Sequence, residues 1–466
     1  MPKFSNAAQI SVRAICAIGL ILVVAGCAGL RERLPFGNRG DGSGITEKQK
    51  EAKDRIAVLP SDQGQNADPE LANIEVTIPA AISLASWPNS GGIPTNAPQN
   101  LAGDGALSVF WRAKMGAGAN KTQALVSKPI IADNKIYTLD AHLTVHASAQ
   151  ANGRRVWSKS IGGVSGSRFK RRGDSDIMGG GIAFDNGQIF ATTGFGSVVA
   201  LNAATGAINW QISLGSPVHA APFAHSGRVF VVATNSEYFA IDARNGEIQW
   251  TQSALPETTR VLTSSSSAIV GDTLVTPFPS GELIASLPAN GRKLWSDNLS
   301  RTNSGTSLSA INDIAGHPVI LDGVVYGASQ SGVVVAVDLR TGIRSWQADF
   351  GSIQSPWVSG NSVYIVTTES QLICINRETG TIKWIKQLAA FENIRKHKDR
   401  ITWSGPLMVA SRLVLGSSKG QIIEVNPQSG EIVNTISARG QFFIPPISVD
   451  GVVYFYSNDG DIVALK

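Results

Sequence analysis

Charge is scarce in this chain: 16% of its 466 residues are Asp, Glu, Lys or Arg, against roughly 25% in an average globular protein. Long salt-bridged helices are therefore not its material, and an all-helical fold is excluded. The basic excess is small as well, 40 Lys and Arg against 35 Asp and Glu, and Lys3 and Arg13 belong to an N-terminal address segment. No concentrated positive patch remains of the kind that grips a phosphate backbone, which excludes nucleic acid as a partner.

Cysteine is scarcer still, with Cys16, Cys27 and Cys374 only. Three cysteines exclude a disulfide framework, and the readings of Cys16 and Cys27 given below leave the mature chain no intramolecular disulfide. The six histidines are scattered. His142 and His146 would share a helix face, but on a strand they stand ~13 Å apart and cannot share a metal. Gly416-Ser417-Ser418-Lys419-Gly420 matches G-x-S-x-G, yet strand-like Gln421 to Val425 follows it where a nucleophile elbow needs a helix. Gly116-Ala117-Gly118 lacks a following helix pattern and Gly179-Gly180-Gly181 opens a strand, so neither cradles phosphate. No catalytic, cofactor or metal site is expected.

Apolar residues make up 43% of the chain and glycine numbers 48, a balance that suits short strands and tight turns around a large core. The N-terminus carries its one long apolar run, Ala14 to Ala25, behind Lys3 and Arg13, which reads as a secretory signal rather than a spanning helix. It ends in Val24-Ala25-Gly26-Cys27, which resembles a bacterial lipobox. That resemblance implies a diacylglycerol on Cys27, cleavage before it, and several acyl chains anchoring the protein to a membrane. Ala28 stands where an Asp favours inner-membrane retention, so the outer membrane is the expected site. Residues 1–26 are then the signal peptide and 27–105 a lipid-anchored tether, rich in Pro, Asn and Gly and expected to run over the surface. Within it, Thr46 to Ile56 has the composition of at most a short helix.

The rest of the chain repeats. A glycine recurs four residues before a tryptophan: Gly153 and Trp157, Gly206 and Trp210, Gly246 and Trp250, Gly291 and Trp295, Gly342 and Trp346, Gly380 and Trp384. Gly430 keeps the pattern with Asn434 in place of Trp. Each glycine marks a hairpin turn, where positive φ costs it little. Eight further hairpins precede these, marked by Tyr137, Phe190, Phe230, Val275, Tyr326, Tyr364, Val414 and Tyr454. Units of about 45 residues with four short strands are propeller blades. The eighth has three strands after Tyr454 is counted, and the missing strand comes from Ala106 to Ala113, with Trp111 at the outer-strand tryptophan position. Residues 106–466 thus read as an all-β, eight-bladed propeller of four-stranded antiparallel blades, closed by N- and C-terminal strands. Its tryptophans wedge between neighbouring sheets.

The connections from one blade to the next hold the irregular loops, where function usually lies. Basic runs occur there at Arg168 to Arg172 and at Arg395 to Arg400; each reads as a solvated loop or as a binding patch.

The Thr-Gly-x-x-x-Trp repeat resembles the pyrroloquinoline-quinone-type propellers, whose enzyme members are eight-bladed dehydrogenases. Those carry adjacent cysteines and a calcium site in many members. Adjacent cysteines are absent here and no substitute for the calcium site is evident, so a dehydrogenase is not expected. With lipobox, tether and eight blades taken together, and most closely in Gly179 to Gly187 and Val335 to Trp346, the chain resembles the BamB family of lipoproteins of the bacterial β-barrel assembly machinery. The resemblance implies a non-catalytic, periplasmic-side scaffold that binds the periplasmic POTRA region of the insertase BamA, alongside other machinery subunits, through two adjacent inter-blade loops. The family's loop arginine corresponds to Arg260, and the first of its two loop aspartates to Asp313. The second is replaced by Ala315, and the apolar neighbours of the arginine by Glu257 and Thr259. The rival from another class is a periplasmic lipoprotein propeller that binds a different protein or a cell-wall component.

The lipobox reading makes a direct prediction. Cys27→Ser abolishes acylation and releases the protein from the membrane fraction; an unchanged mass and unchanged sedimentation of the mature protein contradict it.

Overall fold

In the first blade four short strands, Ile130–Ala132, Lys135–Leu139, Thr144–Ala149 and Arg155–Ser160, pair antiparallel in chain order from the axis outward. The first three are almost wholly buried and the fourth is largely exposed. This burial gradient explains the sequence: apolar runs inside, alternating polar and apolar residues on the outer strand. The computed structural model describes residues 65–71, 74–162, 179–256, 265–300 and 311–466. Blades 2 to 7 repeat the pattern over residues 182–213, 223–253, 268–298, 319–348, 357–387 and 403–437. Blade 8 has Ile447–Val449, Val452–Tyr456 and Asp461–Leu465, and takes its outer strand from Val109–Lys114. The fold is the eight-bladed all-β propeller that the repeats predict.

The closing strand is locked in register, with Trp111 opposite Ala464 and Lys114 opposite Asp461. Ser108 and Lys466 exchange a pair of backbone hydrogen bonds at 3.0 Å beyond it. Arg112 also forms an ion pair with Asp461.

Blades 1 to 6 each hold the next through one indole. Trp157, Trp210, Trp250, Trp295, Trp346 and Trp384 donate their Nε1 protons, at 2.7 to 3.1 Å, to carbonyls of Ala203, Ala243, Pro288, Leu339, Arg377 and Pro427. Every acceptor lies three residues before the turn glycine of the following blade. A Cβ on those glycines would stand within 2.8 Å of the preceding blade's indole, at φ between +73° and +80°, so the turn needs glycine for both space and conformation. In six blades the indole also meets the marker aromatic of the second strand, with centroids 5.9 to 6.1 Å apart, Trp111 with Tyr454 among them.

The exception at Asn434 has a structural cause. Blade 8 draws its outer strand from elsewhere in the chain, so it offers blade 7 no hairpin turn to receive an indole. Asn434 Nδ2 instead donates to Glu424 Oε1 at 2.7 Å, and the Leu107 N–H donates to the same oxygen at 2.8 Å. Glu424 is 1% exposed and pairs with Arg412 at 3.1 Å, which fixes the incoming chain just before its closing strand.

The larger difference from expectation concerns residues 76–102. Composition assigns them to a surface tether, but they form a plug in the propeller's axis. Val76, Trp87 and Leu101 are buried. From Leu84 onward the segment visits every blade in order. Leu84 accepts from the Asp450 N–H of blade 8, Trp87 pairs with Ile131 of blade 1, and Pro88 accepts from Phe184 of blade 2. Asn89 makes a two-way pair with Ala224 of blade 3. Pro94 accepts from Ile269 of blade 4 and Thr95 from Ile320 of blade 5. Gln99 takes the Trp357 indole proton of blade 6, and Leu101 pairs with Met408 and Ala410 of blade 7. Innermost strands present an unpaired edge to the channel, and this segment satisfies it. Its many Asn residues act as backbone substitutes: Asn96 Nδ2 reaches the carbonyls of both Ser267 and Pro318. The contacts with Gly360, Ala410 and Asp450 lie in first-to-second-strand turns, so the plug seals the turn-bearing face. Thr46 to Ile56 lies outside the described residues.

Trp87→Ala is therefore predicted to cost ~3–5 kcal/mol, the range for a large side chain removed from a core. Ile74→Ala, at a position 45% exposed just before the plug, costs less than about 0.5 kcal/mol. Urea unfolding of the two variants checks the contrast; equal losses contradict a structural plug.

Candidate functional site

Strand order sends the second-to-third turns and the blade-to-blade connections to the face opposite the plug. A small cleft lies there between blades 3, 4 and 5. Its wall comes from chain entering those blades, including His219, Ser265, Ser266, Asp313 and Ile314, with Thr234 and Pro279 from turns. The site is built from irregular chain standing on rigid sheets, as binding sites commonly are.

Asp313 is at the cleft but is only 6% exposed, while its carbonyl accepts from the Gln330 N–H at 3.1 Å. Arg260 lies outside the described residues, in 257–264; Ser265, which follows that segment directly, lines the same cleft as Asp313. Ala315, at the position of the family's second aspartate, is 4% exposed. Cys27 and the basic run 168–172 also lie outside the described residues. The second basic run is described: it forms a small exposed hairpin, Phe391–Asn393 with Lys398–Arg400, in the connection from blade 6 to blade 7. Lys419 pairs with its Glu392 at 3.1 Å and Arg400 donates to the Thr368 carbonyl, so it is braced against blades 6 and 7.

Among the described residues no cluster of His, Cys, Asp or Glu is arranged to hold a metal ion. Cys374 is buried, and burial pushes its thiol up to about 12. Gly416 to Gly420 spans a strand end and the turn into Gln421–Val425, with no helix behind it. His146 is bonded instead to Asp140, Nε2 to Oδ2 at 2.9 Å, with both side chains buried. Burial alone would raise the Asp140 carboxyl; the His146 bond and the N–H groups of Ala117 and Thr144 outweigh it and hold the carboxyl below its usual range.

Sequence reasoning passed over one further constellation. Lys128 and His317 each stand immediately before the proline that opens an inner strand, in blades 1 and 5. Those blades are opposite one another in a ring of eight, and the two side chains meet on the axis at 2.7 Å. Counting blades from the Pro129 and Pro318 markers would have found them.

Comparison with known proteins follows the same lines. A family model described as outer membrane protein assembly factor BamB matches residues 141–386 and 392–466, more than half of the chain. An outer membrane protein assembly factor BamB of Yersinia pestis is 22% identical over 76% of this chain and 87% of its own length. The crystal structure of BamB from Moraxella catarrhalis superposes with a TM-score of 0.63 at 18% identity, covering 78% of this chain and all of that one. A europium-containing methanol dehydrogenase gives 0.64 at 14% identity over 82% and 98%, a likeness of fold alone.

The Asp140 pair predicts an acid-sensitive contribution to stability. A carboxyl lowered by folding stabilises above its unfolded value of ~3.9 and loses that stabilisation as pH falls through its folded value. Asp140→Asn should then be clearly less stable than the parent at pH 5, with the gap closing toward pH 2. Urea midpoints across that range check it; a constant gap contradicts it.

Proposed function

The chain belongs to the BamB family of outer membrane protein assembly factors, and we propose that it serves as a lipid-anchored, periplasmic-side scaffold of the β-barrel assembly machinery. In this reading it binds the periplasmic region of a BamA homologue, together with other machinery subunits, and assists insertion of outer-membrane β-barrel proteins. Membership of an assembly-factor family sets the dehydrogenase reading aside. No helix among the described residues is long and apolar enough to cross a membrane, and attachment in this account rests on Cys27.

The observation that carries the partner surface is the cleft on the connection face. Asp313 lines it, as does Ser265, the residue that follows the Arg260-bearing segment in sequence. In this reading Asp313, at low exposure in the cleft wall, supports the surface that a partner meets rather than standing on its open rim. Arg260 supplies the outer contact of the same surface, as arginines often do at binding hot spots.

Arg260→Glu is predicted to weaken binding to the BamA periplasmic region at least about tenfold, ~1.4 kcal/mol, with the melting temperature unchanged. Titration of the purified region at fixed ionic strength tests this. Parent-like affinity would remove the loop arginine from the interface, and absence of a BamA homologue after co-purification from detergent-solubilised outer membrane would refute the scaffold role itself.

A further inference from the structure

The axis of the propeller holds a lysine with no carboxylate beside it. Lys128 Nζ lies 2.7 Å from His317 Nε2, and among the described residues none of the ion pairs includes Lys128. His317 is 4% exposed, whereas Lys128 retains partly exposed surface. The pair sits on the connection-face side of the plug, whose Ser90 backbone bonds the His317 ring. Two clefts flank it: one includes Ser266, which bonds His317, and the other Ser127, which precedes Lys128.

Hydrogen bonding decides the protonation of this pair. The Ser266 N–H donates to His317 Nδ1 at 2.9 Å, so Nδ1 must carry a lone pair. The neutral ring then bears its proton on Nε2. An ammonium at 2.7 Å from that nitrogen would set N–H against N–H. The contact is compatible only with an uncharged amine whose lone pair faces Nε2–H. Electrostatics agree: burial lowers Lys128 to about 7, and burial together with the neighbouring Lys128 holds His317 well below its usual value. His317 is the titratable group set against Lys128 among the described residues.

We propose that Lys128 is a reactive primary amine on the connection-face side of the axis, a covalent modification site for small aldehydes and similar electrophilic carbonyl compounds. The Nζ lone pair attacks the carbonyl carbon to form a C–N bond, and the two amine protons leave with the carbonyl oxygen as water, giving an imine. No oxidant or reductant is consumed. An ordinary lysine, at ~10.4, is almost wholly protonated at neutral pH and lacks that lone pair. The site adjoins the cleft proposed to receive a protein partner through Ser266, but its test does not depend on that partner.

The test is labelling of the intact protein with formaldehyde or glycolaldehyde in the presence of cyanoborohydride, followed by peptide mass spectrometry. At pH 7 and limiting aldehyde, Lys128 is expected to be modified at least about tenfold faster than exposed lysines such as Lys121, with a rate that plateaus above a midpoint near 7. The advantage disappears in urea. His317→Gln, whose amide oxygen accepts from an ammonium, should shift the Lys128 midpoint upward without changing the surface lysines. An unmodified Lys128, or one that follows the same pH dependence as Lys121, overturns the proposal. So does an unchanged midpoint in a folded His317→Gln variant.

Discussion

A ring of sheets leaves two kinds of backbone edge to be satisfied, and the structure is organised around both. The first is where the ring begins and ends. Pairing of Val109–Lys114 with Asp461–Leu465 removes that edge, and with it the template for aggregation that an open propeller would present. The second is the inner edge of all eight innermost strands. Residues 84–101 bond it in six blades, and in blades 6 and 8 they take the Trp357 indole proton and the turn N–H of Asp450. Both solutions use chain N-terminal to the repeats, so the segment before the first blade belongs to the fold.

This constraint explains which features could be read from the sequence. The blade count was legible because the outer-strand indole and the turn glycine of the next blade form one contact, and glycine is required there sterically. Trp111 was legible by the same logic, since it completes the pattern that the last blade lacks, and Tyr454 meets it as the other marker aromatics meet their indoles. Asn434 marked the exception at the closure without revealing its reason. The reason is a missing hairpin, which only the three-dimensional ring makes visible.

The plug was not legible, and physical chemistry says why. Asn, Pro and Gly are the residues of solvated linkers, but they also suit a chain that must pair irregularly with eight different strands. Asn89, Asn96 and Asn100 use side-chain amides to bond Ala224, Ser267 and Ser411 where a regular strand would use its backbone. Composition does not distinguish those uses. The candidate site was legible only through family resemblance: Asp313 has no local signature, and its burial in the cleft wall depends on three blades meeting.

The plug also divides the molecule functionally. It closes the turn-bearing face, and the surface proposed to receive a partner lies on the connection face opposite. The central claim is that residues 82–102 are part of the cooperative core. Native-state hydrogen exchange tests it most directly, through the amides of Trp87, Leu101 and Ala102, which donate to Ile131, Met408 and Ile82. The account predicts opening free energies close to those of blade strands such as Val363 to Ile365. Exchange of these amides at rates near those of an unstructured chain, with the blades still protected, would contradict it.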